Sequence, residues 1–302
     1  MDAIPTIEVA ALDGTAAERH ACAEAIGRAC REVGFFRIVG HGVEPALLQR
    51  AFAVAQGFFA LPPEAKAAVA LGPASGYRGY FPLRGEVTDP AAGGDPKEGF
   101  DIAFGAAGEL NRWPAGLPEL KTVLSAYYEA IAALGRTLSR GFALALELPE
   151  DFFAAKLDRP TAILRVLHYP PAGWPVDPAE LPAGCGAHSD YGYLTILAQD
   201  TQGGLQVERR DGRWLDVPPE EGSFVCNIGE MMARWTADRF RATPHRVVRV
   251  APGARYSIPF FFHPNPDVLI ETLPTCRREG APLYPPITSG DYLDRRQAGA
   301  YA

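Results

Sequence analysis

The C-terminal half of this chain is cut into short strand-like runs, and that pattern limits its fold more than any other feature. After Pro160 seven runs recur: AILRVLHY, YLTILAQ, GLQVER, RWLDVP, SFVCNI, HRVVRV and ARYSIPFFF. Gly, Pro and Asp separate them, and Arg210-Asp211-Gly212 is a hairpin signal between two. Seven short strands in about a hundred residues predict a β-sandwich or barrel rather than a helical bundle.

The first half reads differently. Ile4-to-Ala10 alternates as a strand, and Thr15 to Val33 places Ala21, Ala25, Ile26, Ala29 and Val33 at helical spacing. Gly34 stops that helix, and Phe35–Val39 reads as a buried strand. Pro45 opens a second helix through Leu47, Leu48, Phe52 and Phe58, and Leu61-Pro62-Pro63-Glu64 starts a short third. From Gly72 to Pro118 glycine and proline are dense and periodicity is weak, which predicts an irregular functional surface. Pro118 to Leu148 is the longest helical pattern and is suited to back a sheet. The simplest architecture is mainly β with flanking helices: a helical and irregular N-terminal layer (1–115), a backing helix (116–159), a β core (160–288) and a tail (289–302). We treat 1–302 as one compact unit.

Composition narrows the partners. The 302 residues carry a net charge of −7, which argues against a nucleic-acid backbone as the main partner. Lys66, Lys97, Lys121 and Lys156 are the only lysines, so the positive charge is almost all arginine. Cys22, Cys30, Cys185, Cys226 and Cys276 are odd in number and form no CxxC pair, which predicts reduced, buried thiols rather than a disulfide framework. The first residues carry no basic-then-apolar signal segment, and no apolar run reaches the roughly 20 residues that span a bilayer. A cytoplasmic protein without a membrane partner is expected.

Chemistry can come from three clusters. In His188-Ser189-Asp190 an imidazole and a carboxylate two residues apart share one face of an extended strand. Alone, such a pair is common by chance. His245 follows 57 residues later at the start of another strand-like run. Two imidazoles and one carboxylate on one face of an octahedron leave three positions open, as in non-haem Fe(II) oxygenases. Arg255-Tyr256-Ser257 comes ten residues further on. Arg255 and Ser257 share a strand face, and a guanidinium with a hydroxyl is a receptor for one carboxylate. The run Ile258-Pro259-Phe260-Phe261-Phe262 that follows predicts that this pair is buried.

The set HSD (188–190), PHRVV (244–248) and RYS (255–257) resembles the Fe(II)/2-oxoglutarate-dependent oxygenases, in the branch of isopenicillin N synthase and the plant flavonoid and gibberellin oxygenases. VGFFRIVGHGV (33–43), FFALPPEAK (58–66), GYRGY (76–80), LRVLHYPP (164–171), CNIGEMM (226–232) and SIPFFFHPNPD (257–267) extend the resemblance over nearly the whole chain. It implies a double-stranded β-helix, or jelly roll, with His188, Asp190 and His245 as iron ligands. It further implies that Arg255 and Ser257 hold the far carboxylate of 2-oxoglutarate and that Tyr169 contacts this co-substrate. The expected cofactors are Fe(II), 2-oxoglutarate and O2. The expected reaction is C–H oxidation of a small molecule, with release of succinate and CO2. One departure is Leu167, where many members carry an asparagine.

His20, His41, His168 and His263 are expected to be structural, with His168 facing away from Tyr169. Candidates for the substrate mouth are Tyr77, Arg78, Tyr80, the Gly85-to-Phe104 segment, Phe262 and the tail after Ser289. Three rival readings stay open on the residues alone. An isopenicillin N synthase-type oxidase shares the triad and the Arg-x-Ser pair without using 2-oxoglutarate. A zinc hydrolase would use the same three ligands. A ligand-binding barrel would have lost catalysis.

Overall fold

Strand β1 (Thr6–Glu8) is shorter than the alternating run suggests, because Val9–Asp13 winds into a 3₁₀ turn. Helix α1 (Ala16–Glu32) begins with a capping box: the Thr15 hydroxyl accepts from the Glu18 amide, and the Glu18 carboxylate accepts from the Thr15 amide. Gly34, at φ +77°, ends it. A Cβ there would meet the Arg241 carbonyl oxygen at 2.3 Å, so this position requires glycine for both space and conformation. Strand β2 (Phe35–Val39) and helices α2 (Pro45–Phe59) and α3 (Pro63–Ala67) fall where the sequence predicts them. The computed structural model describes residues 3–88, 93–103, 109–171, 183–248, 253–277 and 279–298.

The glycine- and proline-rich stretch is less irregular than expected. It carries β3 (Gly79–Phe81) and β4 (Glu98–Ala103), and every residue of β4 is buried. The sequence EGFDIA has two acids and a glycine, so it lacks the composition of a strand; pairing on both edges makes it one. Helix α4 (Pro118–Ala145) follows, and then β5 (Thr161–Tyr169).

Beyond β5 run β6 (Ala183–His188), β7 (Leu194–Gln199), β8 (Leu205–Glu208), β9 (Trp214–Asp216) and β10 (Phe224–Ile228). Helix α5 (Glu230–Trp235), β11 (His245–Val248), β12 (Arg255–His263), β13 (Leu269–Ile270), β14 (Ile287–Thr288) and α6 (Ser289–Ala298) complete the chain. Gly212, at φ +76°, makes the predicted turn between β8 and β9.

One sheet has eight strands in the order β1-β2-β10-β7-β12-β5-β4-β3, and a second has four in the order β6-β11-β8-β9. From β5 to β12 the chain passes between the sheets, with β5, β7, β10 and β12 in the larger and β6, β8, β9 and β11 in the smaller. This is the jelly roll. The outer face of the larger sheet packs on the helices: Phe262 lies against Gly135 of α4, and Tyr128 meets Phe260 edge to face. One apolar cluster extends from Ile7 to Leu293 through this layer. The inner face, with the smaller sheet, encloses the chemistry.

Candidate metal and co-substrate site

His188 is the last residue of β6, and His245 the first of β11; the two are directly paired across the antiparallel ladder. Their rings lie 4.3 Å apart, centroid to centroid. Asp190 differs from the sequence expectation. It is not on the strand with His188 but two residues past its end, in the segment leading to β7. Asp190 Oδ1 nevertheless lies 3.9 Å from His188 Nε2 and 3.8 Å from His245 Nε2. The three groups each offer one ligand atom within 4.8 Å of the others, close enough to converge on one cation.

The surroundings of each donor fix which atom faces the shared point. His188 Nδ1 is 2.8 Å from the Gly186 carbonyl oxygen, and His245 Nδ1 is 3.3 Å from that of Thr243. Both imidazoles therefore spend Nδ1–H on the backbone and turn Nε2 to the shared point. Burial opposes charge on His188, but Cys185 and Asp190 hold its pKa up to about 9, so a metal would displace its Nε2 proton. Asp190 Oδ2 accepts from Thr195 Oγ1 at 2.5 Å and Asn227 Nδ2 at 2.6 Å, which leaves Oδ1 turned inward. Burial would raise the Asp190 pKa, but the facing His245 and His188 and these two hydrogen bonds hold it below the usual range. Burial, with His188 beside it, pushes His245 down to about 4, so its ring is neutral and fit to bind a metal at neutral pH. Neither Thr195 nor Asn227 was singled out from sequence. Their signal is a lone polar residue in an apolar strand, in YLTILAQ and SFVCNI, since a buried polar side chain needs a partner.

Across the barrel, Arg255 and Ser257 occupy one face of β12, and Tyr169 ends β5 directly opposite Arg255. Arg255 is 6% exposed and Ser257 2%. The guanidinium donates from Nε to the Gly203 carbonyl at 2.7 Å, from Nη1 to Ser257 Oγ at 3.1 Å and from Nη2 to Gln199 Oε1 at 3.4 Å. It lies 4.8 Å from the Tyr169 ring centroid. Among the described residues no carboxylate pairs with it. A buried cation held only by neutral groups is a receptor waiting for an anion, so the side chains present fit 2-oxoglutarate as well as iron. Leu167 belongs to an apolar patch with Phe81, Tyr169, Cys185 and Val247.

The substrate-side candidates divide. Phe262 is fully buried on the helical face of β12 and does not reach the barrel interior. Tyr80 also faces the helices, edge-on to Phe58, and its hydroxyl donates to Glu98 Oε2 at 2.7 Å. Their neighbours take the inner face, because side chains alternate along a strand. Phe81 lies over Gly99, and Phe261 follows Arg255 and Ser257 at period two.

Between Phe81 and Phe261 stands Arg165, 5.1 and 5.7 Å from the two ring centroids. It is held by two bonds to Asp101 and one to Glu86. Lys97 closes the cluster, 2.7 Å from Asp95, 2.9 Å from Glu86 and 3.1 Å from Cys185 Sγ.

Tyr77 is exposed at φ +57°, while Arg78 is half-buried with an Nε that has no partner. Burial lowers the Arg78 pKa against the pull of Asp101. Residues 89–92 and Phe104 of the proposed mouth, and 299–302 of the tail, lie outside the described residues. Helix α6 packs on the segment that carries Asp190: Arg296 pairs with Glu230 at 2.7 Å and covers the Tyr191 ring at 4.4 Å.

The other histidines have structural partners. His20 contacts the Ala16 carbonyl and His41 that of Gly222. His168 bonds Glu98 on the helical side, and His263 Nδ1 accepts from the Tyr193 amide.

Two sequence families match this chain. Residues 160–264 match the 2OG-Fe(II) oxygenase superfamily, and residues 4–116 match the N-terminal region described as non-haem dioxygenase in morphine synthesis. A 2-oxoglutarate-Fe(II) type oxidoreductase of Aspergillus fumigatus is 39% identical over 276 residues, 86% of this chain and 81% of that one. A homoarginine-6-hydroxylase of Oryza sativa subsp. japonica is 35% identical, over 88% of this chain and 85% of its own. A full-length Neurospora crassa structure in complex with alpha-KG and thymine superposes with a TM-score of 0.89 at 32% identity, covering 98% of this chain and 96% of that one.

The chain belongs to the 2OG-Fe(II) oxygenase superfamily. It is an Fe(II)- and 2-oxoglutarate-dependent dioxygenase that oxidises a small molecule and releases succinate and CO2. This favours the 2-oxoglutarate-dependent reading over the oxidase, zinc and non-catalytic alternatives. Among the described residues no helix is long and apolar enough to cross a membrane.

Proposed function

We propose that His188 Nε2, Asp190 Oδ1 and His245 Nε2 hold the Fe(II), and that Arg255 and Ser257, with Tyr169 beside them, hold the far carboxylate of 2-oxoglutarate. The observation that carries this reading is the buried Arg255 with no carboxylate partner among the described residues, inside the same barrel as the three converging donors. When bound, iron and 2-oxoglutarate supply the oxidation: O2 is consumed, 2-oxoglutarate becomes succinate and CO2, and a substrate C–H bond becomes C–OH or is oxidised in a related way.

The protein supplies position. Gly203, Ser257 and Gln199 orient the guanidinium before the co-substrate arrives, so little ordering is left for binding. Thr195 and Asn227 keep one oxygen of Asp190 occupied and the other directed inward. Phe81, Arg165 and Phe261, with Arg78 at the rim, form the substrate side. The rice relative is named for homoarginine and the Neurospora structure holds thymine, which supports a small polar substrate here.

Five unpaired cysteine thiols, all buried, support a reducing, cytoplasmic setting. The charge of −7 gives a nucleic-acid backbone little to bind. The apolar cluster from Ile7 to Leu293 supports one working unit over residues 1–302.

The test is stoichiometry. Succinate should form one-to-one with oxidised substrate and should depend on Fe(II) and 2-oxoglutarate. His188→Ala should abolish that turnover while the melting temperature stays within a few degrees. Turnover without succinate would return the oxidase reading.

A further inference from the structure

A cavity of about 530 Å³ lies between α5, the β8–β9 turn and the start of the tail. None of the metal or 2-oxoglutarate candidates lines it. Three arginines do: Arg210, Arg234 and Arg241. Tyr284 and Tyr292 supply an aromatic wall, with the buried Phe240 beneath it. Its size is that of a small-molecule site, and an apolar body with a few convergent polar groups is what such sites contain.

The charges are unbalanced. Among the described residues none of the three guanidiniums has a carboxylate partner. Arg210 donates to the Arg31 and Glu32 carbonyls and Arg241 to that of Glu32, so both sit at the C-terminal end of α1. Arg234 donates to the Pro285 carbonyl and lies against the Tyr284 and Tyr292 rings, 4.9 and 5.9 Å from their centroids. Its Nε is buried without a partner.

The two carboxylates on the wall are already engaged. Glu230 takes Ser189, Arg296 and Tyr292, and Asp238 takes Tyr284. Each guanidinium has five N–H donors, and one or two carbonyls leave most of them unused. Burial lowers the Arg241 pKa and the neighbouring Arg210 lowers it further, with Glu208 offsetting part of the effect.

We infer that this cavity binds a small organic anion, an apolar or aromatic body carrying one carboxylate or phosphate, at a site separate from the iron barrel. The acidic group would lie among Arg210, Arg234 and Arg241, and the body against Tyr284 and Tyr292. The inference does not rest on the assignment of the iron and 2-oxoglutarate residues. One link joins the two places: Glu230 also holds Ser189, between the two ligand candidates of the 188–190 segment, through Oγ at 2.6 Å.

Isothermal titration of the full chain with 4-phenylbutyrate and with phenyl phosphate tests this, and the tighter probe identifies the preferred head group. With Fe(II) and saturating 2-oxoglutarate filling the barrel, one saturable site per chain is expected. Arg210→Gln and Arg234→Gln should each weaken it about tenfold or more, as loss of a charge-assisted bond requires. Arg255→Gln should leave it unchanged. Arg210 is exposed, so its variant carries the test should Arg234→Gln fail to fold. The inference is overturned if neither probe binds, if both arginine variants bind as the parent does, or if only Arg255→Gln weakens binding.

Discussion

Asn227 donates its side-chain amide to Asp190 Oδ2 at 2.6 Å, and with Thr195 on the same oxygen it determines which face of the carboxylate meets the two histidines. Neither residue touches the shared point. Asn227→Leu or Thr195→Val would free Asp190 to rotate, and partners of this kind are typically worth about 10–100-fold in metal affinity. An Fe(II) titration under anaerobic conditions should therefore shift by that factor, with 2-oxoglutarate affinity less affected. An unshifted titration in both variants would count against Asp190 as a ligand.

Arg255→Ala removes the charge-assisted receptor, a loss of about 1.5–3 kcal/mol. The concentration of 2-oxoglutarate needed for half-maximal succinate release should rise by at least tenfold, while metal affinity holds. If the concentration dependence did not move, this arginine would not be the co-substrate contact.

Phe261 and Phe262 separate specificity from stability. Phe261→Ala should raise KM for the substrate with little change in melting temperature. Phe262→Ala opens a hole beneath α4, and loss of a buried phenylalanine costs about 3–5 kcal/mol. Its melting temperature should fall with no selective change in KM. The opposite pairing of effects would put the register of β12 out by one.

His263 is buried beside Tyr193 and its pKa is pushed down from 6.5 to about 4 by that burial. Below pH 6.5 the unfolded imidazole takes up a proton while the folded one resists. Stability from this group is complete above 6.5 and is lost progressively toward pH 4, by an amount on the order of 3 kcal/mol. Melting temperatures between pH 7 and 4.5 should fall less steeply in His263→Asn than in the parent, although the variant starts lower.

The strands that carry strong β composition, such as β5, β7 and β12, could be placed from their residues alone. Strand β6 could not. Its sequence, AGCGAH, is built of small residues, and only pairing with β11 and the lack of room beside Tyr169 and Val247 explain them. Strand β4 was hidden for a similar reason: its acids are paired with Arg165, Lys66 and His168 from distant parts of the chain. Tyr80 and Phe262 were each one residue from the inner face. Period two says which residues share a side, but not which side meets the site.

The order of elements, the residue types for metal and carboxylate binding, and their spacing were determined by sequence, because composition and periodicity act over neighbouring residues. Tertiary structure decided which face of each strand looks inward, which oxygen of Asp190 is free, and that Arg255 meets no acid among the described residues. Those depend on partners tens to hundreds of residues away, and local pattern carries no record of them.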